Sequence, residues 1–233
     1  MYTAVFKLGL VPVLLVLFLF ATSMSSSVEA RPMGARLGQK RDDNLPARVP
    51  YVFPEPGTDP VADTIRSRRT NNTLLDLDGV LLQDDNLANA WNGLADMIRD
   101  MNPIPADLRE LFILRTAVLN NAAYQWLQHE PVARSVGFTT EQLREIRFEP
   151  AFLEPANPNS KLTEQQRAAL LLADFMTKSI KVPQPVFDGL KKFMTDKQMV
   201  DAVATVGVYN LVSRFVVALN VDDKMDVPVP VPQ

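Results

Sequence analysis

From Glu110 to His129 the chain reads ELFILRTAVLNNAAYQWLQH, and this stretch restricts the fold more than any other. Its apolar residues recur at intervals of three and four, the repeat of a helix with one buried face. Upstream, Pro103-Ile104-Pro105 marks a helix start. Asp107 is placed to cap that helix, with Glu110 three residues on as in a capping box. Leu108, Leu111, Leu114 and Val118 form its apolar face, and Asn120-Asn121 predicts a break. A second helix then returns Ala122, Gln125 and His129 on one stripe, flanked by Trp126. His129 is the only histidine in the sequence.

The same period runs through the rest of the chain. Leu87, Trp91, Leu94, Ile98 and Met101 predict a helix over 86–101. Glu130-Pro131 predicts a kink or restart, and Thr139 with Gln142 predicts a capped helix carrying Leu143 and Ile146. Pro150, Pro155 and Pro158 read as a surface linker. Thr163 with Gln166 opens an apolar helix reaching Met176 that reads as buried nearly all round. A short helix over 186–194 and a long one over 196–219 complete the set. No segment sustains period-two alternation, so the expected class is all-α, one helical bundle over 74–222. Pro, Gly and charge dominate 31–73, which reads as an extended arm without regular structure, with a propeptide to residue 41 as an option. The Val-Pro repeats of 223–233 read as an extended, disordered tail.

The stretch around Glu110 and His129 resembles the carboxymuconolactone decarboxylase and alkylhydroperoxidase D-like family. The peroxidase branch of that family reads Glu-x11-Cys-x-His-Cys-x3-His. The frame falls without a gap on Glu110, Ala122, Tyr124, Gln125 and His129. The outer glutamate and histidine match, whereas both cysteine positions and the inner histidine differ. Val132–Arg147 (VARSVGFTTEQLREIR) is similar to the family's continuation, and Tyr209-Asn210-x3-Arg214 to the ending of its fungal-type members. The likeness spans about residues 74–221. It implies an alkylhydroperoxidase D-like bundle and cofactor-free acid/base chemistry on a small organic acid, lactone or polyketide-like metabolite. Decarboxylation, isomerisation and cyclisation all stay open, within a biosynthetic or catabolic small-molecule pathway. The implied enzyme is a lyase or isomerase, with His129 as general base or acid and Glu110 orienting it.

Composition narrows the chemistry from another side. There is no cysteine, so thiol peroxidase chemistry and Cys-metal sites are excluded, and one histidine rules out a His-rich zinc or iron site. No cofactor and no metal site are expected. Lys7, an apolar run over 8–21 and Val28-Glu29-Ala30 read as a secretory signal peptide over 1–30, with Lys40-Arg41 as a possible dibasic trim. The expected product is secreted, without a stable membrane anchor after cleavage. N-terminal sequencing of mature protein is expected to begin near Arg31 or Asp42, and an intact Met1 there overturns the reading. Removing residues 1–41 takes away five Lys/Arg and one acidic residue, moving the net charge from −3 to −7. No dense basic stripe remains, so nucleic acid is not an expected partner. Asn71-Asn72-Thr73 is a glycosylation sequon.

The remaining candidates each carry two readings. Glu110 is a capping residue or the partner of His129, and the resemblance favours the second. His129 alone on an apolar helix is ordinarily a hydrogen-bonded core residue; with Glu110 in register it reads as a proton-transfer group. Arg115 and Arg214 interrupt apolar runs, so each needs an anion, either an acidic side chain of the fold or a substrate carboxylate. Tyr124, Trp126, Tyr209 and Asn210 are core residues or pocket lining for a small-molecule substrate. Leu74–Leu82 (LLDLDGVLL) resembles the first motif of haloacid-dehalogenase-type phosphatases, with Asp76 as nucleophile and Asp78 as acid. That chemistry needs a strand opening a doubly wound sheet, which the helical context denies. The alternative function is a non-catalytic secreted helical binding protein that has kept the pocket and lost the chemistry. The apolar stretches over 165–176 and 199–219 further predict a homo-oligomer.

Overall fold

The computed structural model describes residues 47–69, 71–154 and 157–233. The signal peptide, Lys40-Arg41 and the arm before residue 47 lie outside the described residues. Nine α-helices follow among the described residues: α1 (Pro60–Ser67), α2 (Asp76–Leu81), α3 (Asp85–Arg99), α4 (Ala106–Leu119), α5 (Ala123–Ser135), α6 (Thr140–Phe148), α7 (Glu164–Lys178), α8 (Gln184–Lys191) and α9 (Asp196–Ala218). The all-α expectation holds.

At the centre runs α4, whose Leu108 to Ala117 are almost continuously buried, and it packs against α5, α6, α7 and α9. A helix buried on every side needs neighbours on every side, which is why the bundle forms around it. It ends where the sequence predicted a break. Asn121 takes a left-handed conformation (φ 51°), letting Ala122 N donate to Ala117 O and Asn121 N to Val118 O. Those bonds satisfy the last carbonyls of α4 and turn the chain into α5. Gly137 (φ 104°) closes α5 in the same way, with Phe138 N donating to Ala133 O.

Local capping chemistry sets three helix starts. Thr139 with Gln142, Thr163 with Gln166 and Thr195 with Gln198 each form a reciprocal capping box. Such a cap contributes about 1 kcal/mol. The predicted box at α4 does not form: Pro105 holds the N-cap position and Asp107 accepts instead from Gln166 Nε2 (2.9 Å). Glu110 is thereby free for another partner. The helix does not restart at Pro131, and α5 continues through it. Pro131 and Leu127 are both exposed, so the carbonyl that loses its donor is on the watered side of the helix. In α7 burial is confined to one face, with Arg167, Leu171, Phe175 and Met176 half-buried. The predicted all-round burial is therefore corrected. In α3, Ile98 is core while Leu87 and Met101 lie at its exposed ends.

The arm and tail are more ordered than their compositions predict. Asp59 caps α1 by accepting from Val61 N and Ala62 N, and Pro60 holds the first helical position. Ala62 and Ile65 then pack with Leu81, Leu82 and Ala88. The Leu74–Leu82 motif is not a strand: it forms α2, where Asp78 accepts from Leu75 N and from Arg69 (2.7 and 2.8 Å). At the C-terminus Val229 is buried, Arg147 donates to Val229 O, and Arg134 and Thr140 donate to Gln233 O. The tail is extended, as its prolines require, but pinned rather than free. Asn71 is exposed in the turn after α1.

Candidate active site

The α4–α5 turn delivers Glu110 and His129 to one point from positions nineteen residues apart. His129 Nδ1 lies 2.8 Å from Glu110 Oε2, and both side chains are nearly enclosed. A carboxylate only accepts hydrogen bonds, so Nδ1 carries a proton, and in the neutral imidazole Nε2 then holds the lone pair. Nε2 has no hydrogen-bond partner among the described residues. The other carboxylate oxygen, Oε1, faces Arg109 Nε at 3.6 Å. Glu110 therefore lies between a histidine that donates to it and an arginine that offsets its charge. Arg109 was not among the sequence candidates; its adjacency to Glu110 was the available signal.

The pair opens onto a cavity of about 280 Å³ between α3, α5 and α9, roofed by the α1–α2 segment. Tyr124, Gln125 and His129 of α5 line it, with Tyr209 of α9 opposite and Trp91, Leu94 and Arg99 on α3. The Tyr209 ring meets the imidazole edge-on, with centroids 5.1 Å apart and planes at 90°. This packing and the Glu110 contact together fix the orientation of the imidazole. Burial pushes the Tyr209 phenol above its ordinary pKa, although Arg99 and Arg109 pull it back. Tyr124 is raised by burial too, against the hydrogen bond that its hydroxyl accepts from Leu77 N at 3.2 Å. Both phenols are protonated donors at neutral pH.

Gln125 stands at one of the positions that resemble a cysteine of the redox frame. Its Nε2 donates to Ile113 O (2.9 Å), which orients the amide, because the flipped form would set oxygen against oxygen. Its Oε1 is buried and finds no donor among the described residues. Such an orphan acceptor beside a cavity is a polar group whose partner must come from elsewhere.

Several predicted lining residues lie away from this cavity. Arg115 is fully buried, but its fork is closed by Asp174 (2.6 and 3.1 Å) and it also donates to Ile146 O and Glu149 O (2.9 Å each). It is a structural cation with no free donor face for a substrate. Arg214 is exposed on α9 and bonds back to Asn210 O and Oδ1. Asn210 spends its amide on Asn120, Thr177 and Val206 O, joining α9 to α4 and α7. Trp126 is core, donating to Glu130 Oε2 at 2.6 Å. Of the eight predicted site residues, His129, Tyr124 and Tyr209 line the cavity and Glu110 stands directly behind it. No group of three or more His, Asp or Glu among the described residues is arranged to hold a metal ion.

Fold and site define an all-α bundle with a buried glutamate–histidine pair at the edge of a small cavity. The chain has the carboxymuconolactone decarboxylase/alkylhydroperoxidase D-like fold. A model of the carboxymuconolactone decarboxylase family matches residues 85–157, which span α3 to α6 and contain both Glu110 and His129. Among solved structures, the alkylhydroperoxidase AhpD core of an uncharacterized peroxidase-related protein from Ralstonia eutropha is similar with a TM-score of 0.61. It is 18% identical, over 80% of this chain and 98% of that one. An Agrobacterium tumefaciens protein of unknown function, described as an AhpD-type antioxidant defence protein, gives 0.53 at 20% identity, over 60% and 92%. The debrominase Bmp8, solved with 2,3,4-tribromopyrrole, gives 0.58 at 17% identity, over 70% and 84%. No curated protein matches the sequence.

Proposed function

We propose that the protein is a cofactor-free acid/base enzyme acting on a small metabolite in the α3–α5–α9 cavity. The observation that carries this reading is the buried 2.8 Å contact between His129 Nδ1 and Glu110, which leaves Nε2 free at the cavity. Nε2 takes a proton from a carbon acid, and the electron pair left behind moves onto an adjacent carbonyl oxygen as an enolate. Tyr209 donates to that oxygen, and the imidazolium returns the proton at another carbon to complete an isomerisation; in a decarboxylation the enolate forms instead by heterolysis of the bond to the carboxylate, carbon dioxide leaves, and the His129 imidazolium delivers one proton to the carbon. The absence of cysteine from the sequence removes the thiol route that the peroxidase frame uses. Mass spectrometry of a co-purifying small molecule, followed by its conversion in deuterated buffer, tests the reading. Solvent deuterium is expected at the reacting carbon. Binding without any exchange turns the reading into the alternative, a pocket that only holds its ligand.

We also propose that copies of the chain associate through α9. Val200, Val203, Gly207 and Leu211 are exposed at helical spacing and form an uncovered, largely apolar stripe on the helix. Contiguous apolar surface of this kind is a contact surface more often than a solvated one. Light scattering at micromolar concentration is expected to show more than one copy, and a stable monomer overturns the proposal.

A further inference from the structure

The cavity wall contains arginines that the sequence patterns did not single out. Arg68, Arg69 and Arg99 line it, together with Asp78 and Asp100. Arg68 is held by Asp96 and Asp100 (3.1 and 3.0 Å) and also donates to Asn92. Arg69 is held by Asp78. Arg99, at the end of α3, has no hydrogen-bond or ion-pair partner among the described residues. Among the described residues Arg99 is therefore the lining arginine with no carboxylate on it. An arginine lying half-buried without an anion is an open fork for a carboxylate.

Two further groups at the cavity are likewise unpaired among the described residues, the Tyr209 hydroxyl and His129 Nε2, and Gln125 Oε1 is an unpaired acceptor enclosed in the wall behind them. Arg99 and Tyr209 are donors, whereas Gln125 Oε1 only accepts. That set asks for a molecule with one anionic group and at least one hydroxyl or N–H. A phosphate dianion is a poorer match, because one arginine leaves its second charge uncompensated in a cavity of about 280 Å³. The walls between these groups, Trp91, Leu94, Val208 and Val212, suit an apolar or ring-shaped body.

We infer that Arg99 is the carboxylate anchor of this cavity, and that its ligand is a small monocarboxylic acid bearing a hydroxyl donor for the acceptor side of α5. The inference rests on the proposed acid/base reading for why such a molecule is bound, and it replaces Arg115 and Arg214 as the anion site. A carboxylate held on Arg99 directs the rest of the molecule past Tyr209 toward His129.

The chain's single histidine makes the test direct, since its imidazole resonances report on the cavity without ambiguity. 4-Hydroxybenzoate, its methyl ester and benzoate are titrated into the whole protein and into its Arg99→Gln and Arg99→Lys variants, following His129 by NMR. Saturable binding of 4-hydroxybenzoate is expected, weakened about 10- to 100-fold in Arg99→Gln and partly retained in Arg99→Lys. The ester, lacking the charge, is expected to bind as weakly as the acid does to Arg99→Gln. Benzoate, lacking the donor, is expected to fall between the two. A thermal midpoint for Arg99→Gln close to wild type is expected, because no group of the fold depends on that side chain. An ester that binds like the acid, equal binding by Arg99→Gln, or no saturable binding by wild type overturns the inference. Arg99-dependent binding without proton exchange at any bound carbon acid would sink the catalytic reading alone and leave the anchor standing.

Discussion

Replacing His129 with glutamine is expected to leave the fold and ligand binding in place and to cut turnover by about 10²–10⁴, the usual worth of a positioned general base. Glutamine fills a similar volume and can still meet Glu110 through its amide, so the buried carboxylate keeps a donor. What is lost is the free Nε2 lone pair at the cavity. Glu110→Gln removes an orienting partner rather than the base, so its cost in turnover is expected to be smaller. A purely structural histidine produces the opposite pattern, with a lowered thermal midpoint and near-normal activity per folded molecule. Turnover and thermal midpoint measured together on His129→Gln separate the two, and unchanged turnover removes the assignment.

The largest expected loss of stability belongs to Arg115. Arg115→Met leaves Asp174 charged, fully buried and without its cation, and breaking one side of such a pair costs about 3–5 kcal/mol. For a domain of this size that lowers the thermal midpoint by about 6–20 °C. The effect reaches beyond the pair, since Asp174 Oδ2 also accepts from Phe152 N (3.0 Å). Phe152 is in the left-handed region (φ 65°), so this bond helps to hold the linker between α6 and α7 in an unfavourable backbone conformation. The double variant Arg115→Met/Asp174→Leu is expected to recover much of the loss, because an apolar pair of matching volume avoids the desolvation penalty. Catalytic activity per folded molecule is expected to survive, as neither residue lines the cavity. A single variant as stable as wild type contradicts this account.

Short-range signals decided what could be known from the chain alone. A threonine three residues before a glutamine satisfies orphan N–H groups within one turn, so the starts of α6 and α7 were legible without any neighbour. The apolar period of three and four placed the helices observed over 85–99, 106–119 and 196–218 within a few residues, and Asn120-Asn121 marked the turn that lets α5 return onto α4. The register of Glu110 with His129 was legible because it is a count along one hairpin. Their contact at 2.8 Å then follows from two helices joined by a fixed turn.

Where the deciding partner is distant in sequence, the pattern carried no information. Asp107 was a reasonable cap until Gln166, fifty-nine residues away, claimed its carboxylate. Arg115 and Arg214 looked alike as cations in apolar runs. One is closed by an aspartate from α7 and the other turns out to solvent. Arg99 ended an ordinary amphipathic helix and became, among the described residues, an unpaired cation of the cavity only when α1, α2, α5 and α9 assembled around it. Helical periodicity determines which face of each helix is buried, and therefore the class of fold. It cannot say which charge another helix brings across that face, and that choice, made by packing between the described helices, decided which residues line the cavity.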